Sequence, residues 1–165
     1  MPKFAKTRLL TVLLLALAMS GCGFRLAGAT SLPPELNRIY LVTSDFSDPQ
    51  RDALRRQLER AGAEVSRQAD SQAVRLSVSL KTMPDRRLAT GASNGRIIDR
   101  LERSLQYNLK GADGNLLAPA ATLTQQKDIV LDDDNLLSSG VEKRSVIEDL
   151  EEALFNQLIH QLKRI

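Results

Sequence analysis

Seven basic side chains lie between positions 81 and 110 of the chain, against three acidic ones. Three of the arginines, Arg86, Arg87 and Arg96, fall within or beside the segment 83–96, whose proline and glycines predict a loop between two strands. A guanidinium group binds phosphate through a forked pair of hydrogen bonds, so this cluster suits an anionic ligand. The same pattern is also compatible with a solvated loop that binds nothing.

Catalytic chemistry has little support among the other side chains. The chain has one histidine, His160, and one cysteine, Cys22, which excludes a multi-histidine metal site and a cysteine zinc cluster. A catalytic triad would depend on His160, and neither a G-x-S-x-G motif nor a P-loop occurs. The acidic run 132–134 lacks the glycine and the closing glutamate of a calcium loop. The sequence therefore predicts a protein that is not an enzyme and that has no cofactor.

Cys22 follows directly on a segment with the pattern of an export signal. Lys3, Lys6 and Arg8 form a basic start, and an apolar stretch of 11 residues, 9–19, comes next with a single interruption. That stretch is too short to span a bilayer, which takes about 20 residues, and it has the length of a signal-peptide core.

Residues 19–22, Met-Ser-Gly-Cys, resemble the lipobox at which bacterial lipoproteins are acylated and cleaved, with methionine where leucine is usual. The thiol of Cys22 would be the nucleophile that takes the diacylglycerol. Several acyl chains on Cys22 would hold the protein at a membrane without a transmembrane helix. Gly23, rather than aspartate, follows the cysteine, which favours the outer membrane. The alternative is an ordinary secretory signal followed by a free cysteine.

The formal charge of +3 belongs to the export segment. Residues 1–21 contain three of the 23 basic side chains and no acidic one, which leaves 20 of each sign in residues 22–165. A neutral mature chain with no tryptophan, four Phe and two Tyr does not favour nucleic acid binding.

Hydropathy patterns predict the elements of the first half of the mature chain. The segment 24–36 predicts an extended tether, and residues 38–43 are rich in β-forming side chains and predict a strand. Asp48 as N-cap and a proline after it predict the start of an amphipathic helix over 49–61, with a glycine as its stop. Strict alternation over 74–80 predicts a second strand.

The second half predicts a hairpin and a long helix. Residues 97–109 fit either a strand or a helix, and the turn signal over 111–115 favours a hairpin into a strand over 116–130. A capping box formed by Ser139 and Glu142 predicts the start of a C-terminal amphipathic helix.

These elements predict an α+β fold with a single domain. The sheet would be mostly antiparallel and four-stranded, with two helices packed on one face. The predicted boundaries are a lipoprotein-type signal peptide over 1–21, an acylated tether over 22–37 and the α+β domain over 38–165.

Several segments together resemble the LptE family of lipopolysaccharide-assembly lipoproteins. Residues 21–26, Gly-Cys-Gly-Phe-Arg-Leu, are similar to the family's acylation site and mature start. The sequence Leu-Pro-Pro-Glu-Leu at 32–36 and the strand 39–41 lie at the family's distances. The helix start at 48–49 and the segment 54–62 also match the family's pattern. The order of elements agrees over nearly the whole chain.

The resemblance implies a lipid-anchored protein on the periplasmic side of the outer membrane. Such a protein would plug the β-barrel subunit LptD, help it assemble, and bind lipopolysaccharide during export to the cell surface. The covalent lipid on Cys22 would be its membrane contact, and Arg86, Arg87 and Arg96 would meet the phosphates of lipid A. Arg25 stands where the family often has histidine, and the segment 83–110 matches the family least.

Two other interpretations remain open at this point. One is a different periplasm-facing lipoprotein that acts as an accessory in envelope assembly or binding. The other is a lipid-anchored hydrolase, which would need a nucleophile near His160.

Overall fold

The computed structural model describes residues 31–90, 96–132 and 136–165. They form one sheet of six strands with two helices packed on one face, so the predicted α+β class is confirmed. The predicted count of four strands is wrong, because the sheet has two additional short strands, Glu64–Ser66 and Arg86–Thr90. The sequence pattern does not predict either of them.

The elements follow one another with short connections. In chain order they are a 3-10 turn (Pro34–Leu36), β1 (Arg38–Ser44), α1 (Asp48–Arg60), β2 (Glu64–Ser66), β3 (Val74–Thr82), β4 (Arg86–Thr90), β5 (Arg96–Lys110), β6 (Leu116–Asp132) and α2 (Leu136–Leu162).

The sheet has the order β2-β1-β3-β5-β4, and β6 pairs with the remaining edge of β5. β1 is parallel to β2 and β3, whereas β5 is antiparallel to β3, β4 and β6. β3 pairs with residues 103–110 of β5 and β4 with residues 97–100, so these two strands lie end to end along one edge. The loop prediction over 83–96 is therefore wrong for Arg86–Thr90, which pairs with the part of β5 beyond the end of β3.

The alternation of β5 separates a covered face from an open face of the sheet. Its odd-numbered residues from Ile97 to Leu109 are all buried on the helix side, which confirms the strand over the helix for 97–109. Fully buried leucines from α1 (Leu54, Leu58) and α2 (Leu154, Leu158) pack against this side. Burial of each such side chain stabilises the fold by about 1.5–3 kcal/mol.

The open face of the sheet carries no helix among the described residues. Most of its central side chains are hydroxyls and amides, with Lys81 and Glu102 as charged neighbours: Ser77, Ser79, Ser104, Gln106, Asn108, Thr122, Thr124 and Gln126. Hydroxyl and amide groups hydrogen-bond without carrying a charge, and all of these residues except the buried Ser104 are at least partly exposed.

Helix α1 agrees with the prediction within one residue at each end. Ser47, rather than Asp48, is the N-cap, and its backbone N–H donates to Oε1 of Gln50 at 2.8 Å. Gly62 follows the helix with φ +98°, a left-handed conformation that a residue without Cβ adopts at little cost.

The last residues of the predicted tether pack into the domain. Leu32 and Leu36 are buried in the main core, and Pro34–Leu36 forms a 3-10 turn rather than an extended segment. The rest of the predicted tether and the signal segment lie outside the described residues.

Helix α2 begins at Leu136, three residues before the predicted N-cap Ser139. Ser139 is therefore a buried helical residue, and the predicted capping box with Glu142 is wrong. The acidic turn predicted at 132–135 falls mostly outside the described residues, and Asp132 itself ends β6.

Candidate functional site

The predicted arginine cluster lies at one end of the sheet. The region formed by β4, residues 96–100 of β5 and residues 128–132 of β6 is called the basic end below. Pairing within the sheet fixes which side chains of this region share a face, because directly opposed residues point to the same side.

Arg86 stands directly opposite Arg100, with both on the open face. Arg100 is held by Asp128 of β6 through two hydrogen bonds of 2.6 and 2.9 Å. This pair raises the pKa of Arg100 and lowers the pKa of Asp128, the side-chain hydrogen bond being the main cause in both. Arg86 is exposed and has no acidic partner within ion-pair distance in the described part of the chain.

Arg87 stands opposite Asp99 and points to the helix side. Its Nε donates to Oδ1 of Asp99 at 3.2 Å, and the Asp99 side chain is only 9% exposed. The Arg87 side chain is 57% exposed, so its terminal nitrogens still reach solvent. Arg87 therefore neutralises a buried carboxylate and lies on the opposite face of the sheet from Arg86.

Arg96 begins β5 on the same open face as Arg100, four residues away, and is exposed. Between them lies an apolar row in which Ile98 is opposed by Ala89 and Val130. Val130 is 51% exposed, so its side chain is accessible on this face. On this face, Arg96 and Arg100 of β5 flank an apolar strip, and Asp132 and Asp128 of β6 are their register partners.

This arrangement suits an amphiphilic anion. Arg86 and Arg96 offer forked donors for phosphate oxygens, and the strip formed by Ile98 and Val130 offers contact for a hydrocarbon chain. The structure thus brings Arg86 and Arg96 to one face and places Arg87 on the other. Arg100, already paired with Asp128, completes the row beside Arg86.

Arg103 is a charged residue whose position the sequence pattern did not explain. It lies on the helix side of β5 and is 5% exposed. Its Nη1 donates to the backbone oxygen of Glu102 at 2.8 Å, and its Nε has no hydrogen-bond partner among the described residues. Arg103 separates the main core from a smaller cluster around Leu101 and Leu150.

A groove of about 610 Å³ lies between α1 and α2. At its floor Gln50 donates to Oε1 of the buried Glu151 at 2.7 Å. Phe46 and Phe155 stack beside it with ring centroids 5.9 Å apart. The hydrogen bond and the stacked rings connect the two helices.

The remaining predicted groups lie apart from the basic end or outside the described residues. His160 is exposed near the end of α2. Within residues 31–90, 96–132 and 136–165, no cluster of three or more metal-binding side chains occurs. No helix in these ranges is long and apolar enough to cross a membrane. Cys22, the predicted acylation site, lies outside the described residues.

Comparison with known sequences gives a local match. No family model matches the chain. A segment is 48% identical over 50 residues to the LPS-assembly lipoprotein LptE of Yersinia enterocolitica, which covers 28% of this chain and 24% of that protein. The match thus spans about a quarter of the length of this curated relative.

Comparison with solved structures shows the fold over most of the chain. A minor lipoprotein from Acinetobacter baumannii has a TM-score of 0.64 at 18% identity, covering 80% of this chain and 94% of that one. Lipoprotein B from Nitrosomonas europaea has a TM-score of 0.64 at 19% identity, with 86% and 90% coverage. Rare lipoprotein B from Shewanella oneidensis has a TM-score of 0.62 at 14% identity, with 76% and 93% coverage.

These comparisons confirm the resemblance to the LptE family that the sequence predicts. The sequence match is local, and the structural matches, all under 20% identical, show a shared fold.

Proposed function

We propose that this chain is an outer-membrane lipoprotein that plugs an LptD-like β-barrel, helps it assemble, and binds lipopolysaccharide during its export. The observation that carries the proposal is the 48% identity to an LPS-assembly lipoprotein over 50 residues, joined to a fold shared with solved lipoproteins. Its role would be binding and assembly without catalysis, on the periplasmic side of the membrane and anchored through the lipid on Cys22.

The surface chemistry of the sheet supports a place inside a barrel lumen. Lumens of outer-membrane barrels are polar and mixed in charge. The open face of the sheet presents neutral hydroxyl and amide groups at its centre, and residues 22–165 carry 20 side chains of each sign. Such a surface can face a polar wall without leaving large apolar area or unpaired charge against it.

Co-purification tests the barrel partnership. The full chain with an affinity tag is expected to bring down an LptD-like barrel in a near one-to-one complex. An accessory lipoprotein with another role would be recovered without such a barrel, and that result would overturn the proposal. The hydrolase interpretation predicts instead that His160→Ala causes a loss of function, whereas we expect His160→Ala to leave surface lipopolysaccharide unchanged.

The basic end supports the proposed ligand. Lipid A combines phosphates with acyl chains, and the open face of the basic end combines Arg86 and Arg96 with the apolar strip of Ile98 and Val130. Arg87 points to the helix side, where it pairs with Asp99, and is therefore not part of this ligand surface.

Charge reversal at the basic end tests the ligand site. We expect the double variant Arg86→Glu/Arg96→Glu to bind lipopolysaccharide at least tenfold more weakly, because one lost charge-assisted hydrogen bond is worth about 1.5–3 kcal/mol. The matched control is Arg56→Glu on α1, an exposed arginine outside the basic end, which should bind normally. Equal binding by the double variant and the control would exclude this site.

A further inference from the structure

The groove between α1 and α2 has a volume of about 610 Å³, which lies in the range of small-molecule sites. Its lining includes the apolar side chains of Ala53, Ile147 and Phe155. A buried carboxylate and a buried amide, Glu151 and Gln57, also line it. Burial of such polar groups costs free energy unless each finds a partner, so their hydrogen bonds show which groups a ligand could satisfy.

Glu151 brings a negative charge to the groove with no cation beside it. The residue is 8% exposed, and its Oε1 accepts the hydrogen bond from Gln50. Gln50 is itself held in place, because its own Oε1 accepts from the backbone N–H of Ser47. In the described part of the chain, Oε2 of Glu151 has no hydrogen-bond partner and no basic side chain lies within ion-pair distance of the carboxylate. Buried carboxylates are usually paired, so a ligand cation would complete this site.

Gln57 adds an acceptor that lacks a donor. The residue is 9% exposed, and its Oε1 has no hydrogen-bond partner among residues 31–90, 96–132 and 136–165. Native structures leave few buried polar atoms without a partner. A ligand N–H group in the groove would supply the missing donor once the amide of Gln57 turns toward it. The groove therefore presents two acceptors, on Glu151 and Gln57, to one donor group.

Exposed side chains bring both signs of charge to the two walls of the groove. Arg56 and Arg60 lie on α1, and Glu148 and Glu152 lie on α2. Arg144 of α2, four residues before Glu148, also lines the groove. Among the described residues no ion pair joins any of these five side chains to another. A ligand of one sign would be attracted by part of this lining and repelled by the rest, whereas a ligand with both signs can fit both.

We infer that this groove binds a phosphoethanolamine group, with the ammonium at Glu151 and Gln57 and the phosphate at Arg56 and Arg60. The ammonium N–H groups donate to the two free oxygens, and the positive charge compensates the buried carboxylate. Arg56 and Arg60 are four residues apart, so they share a face of α1 and offer forked donors to one phosphate. The same group occurs in a phospholipid headgroup and in a soluble phosphate ester.

An NMR titration of the purified full chain with O-phosphorylethanolamine tests the site. We expect a dissociation constant on the order of 1 mM. Phosphocholine has the same phosphate and the same net charge but no ammonium N–H, and it should bind at least tenfold more weakly. Glycerol phosphate, which has no ammonium group, should also bind at least tenfold more weakly. Equal affinity for the three probes would overturn the inference, because general attraction of phosphate to arginines would then explain the binding.

Two variants test the two ends of the site. Glu151→Gln keeps the shape of the side chain and removes its charge, and Arg56→Glu reverses the charge of an exposed residue. Each should bind O-phosphorylethanolamine at least tenfold more weakly. The matched control Glu142→Gln, at an exposed position of α2 outside the groove, should bind as wild type does. Wild-type affinity in either variant would overturn the inference, and Arg56→Glu keeps the test valid if Glu151→Gln does not fold.

Vesicles distinguish the two sources of the phosphoethanolamine group. For a lipid source, vesicles containing phosphatidylethanolamine should retain wild type more strongly than Arg56→Glu, and phosphatidylcholine vesicles should retain the two equally. Equal retention on both kinds of vesicle would assign the site to a soluble ester. Arg56→Glu is also the control for lipopolysaccharide binding at the basic end, so the two ligand sites are tested separately. Failure of this inference leaves the proposed function untouched.

Discussion

Arg103 shows how one residue can divide the interior of a small domain. It is 5% exposed between helices and sheet, and its Nε has no partner among the described residues. Apolar clusters lie on both sides of it, around Leu105 and around Leu101. A buried polar group without a full set of hydrogen bonds costs free energy that an apolar side chain of similar length would not.

Replacement of this arginine should therefore stabilise the fold. We expect Arg103→Met to raise the free energy of unfolding by about 1 kcal/mol, because methionine joins the two clusters and removes the buried charge. Urea denaturation measures the change. Arg86→Met, at an exposed site, should stay within about 0.5 kcal/mol of wild type. A clear loss of stability in Arg103→Met would mean that the guanidinium contributes net stabilisation.

The surface pair of Arg100 and Asp128 makes a prediction about pH. The pKa of Asp128 is lowered, so the pair favours the folded state above the ordinary aspartate pKa and loses that contribution as pH falls through the depressed value. In an NMR titration, Arg100→Gln should raise the pKa of Asp128 towards that of a free aspartate. An unchanged pKa in Arg100→Gln would show that the two hydrogen bonds do not form in solution.

At the scale of elements, a strand or helix whose hydropathy pattern repeats one period several times is predictable from the sequence. Short strands and edge strands are not. The strand over 74–80 and the hairpin around 111–115 follow from alternation and turn chemistry, and both are present. β2 has only three residues and β4 only five, and each exists because a longer neighbour offers an unpaired edge. Whether such a short strand forms depends on its pairing with a neighbouring strand, and a local sequence pattern does not contain this pairing.

Prediction of the candidate site from the sequence has the same limit, because the site also depends on strand pairing. The excess of arginines around 81–110 was visible in the sequence, but the face that each occupies depends on the register of β4 against β5. Arg86 opposes Arg100 on the open face, and Arg87 opposes Asp99 on the other. A loop, as predicted, would have left all three arginines free to converge.

Gly62, which follows α1, and Gly140, which lies within α2, offer a matched test of the backbone conformation at the two positions. Gly62 has φ +98° after α1, whereas Gly140 lies within α2 with open space around it. Gly62→Ala should lower the free energy of unfolding by about 1 kcal/mol, and Gly140→Ala should raise it by about 0.5–1 kcal/mol. Thermal unfolding of both variants measures the signs, and equal signs would contradict the assigned backbone.

At the scale of the whole molecule, the positive formal charge of the sequence comes from its first 21 residues. Residues 1–21 carry three basic side chains and no acidic one, and residues 22–165 carry 20 of each sign. The attachment to the membrane would therefore depend on the lipid at Cys22 and not on attraction to anionic lipids.

This gives a prediction for the anchor. Cys22→Ser, with residues 1–21 replaced by an ordinary cleavable secretory signal, should abolish acylation and shift the protein from the membrane fraction to the soluble fraction, while the fold of the domain persists. Fractionation followed by immunoblotting measures the shift, with circular dichroism as the check on folding. Retention of Cys22→Ser in the membrane fraction, in cells without a barrel partner, would point to a different mode of attachment.

The hairpin of β5 and β6 determines how far the sheet extends along its strands. β5 has 15 residues, and at about 3.4 Å per residue it extends for roughly 50 Å. The hydrocarbon core of a bilayer is only about 30 Å thick. Arg96 and Lys110 mark the two ends of this strand, so if β5 ran along the membrane normal with its Lys110 end at one surface, the basic end would extend beyond the other surface.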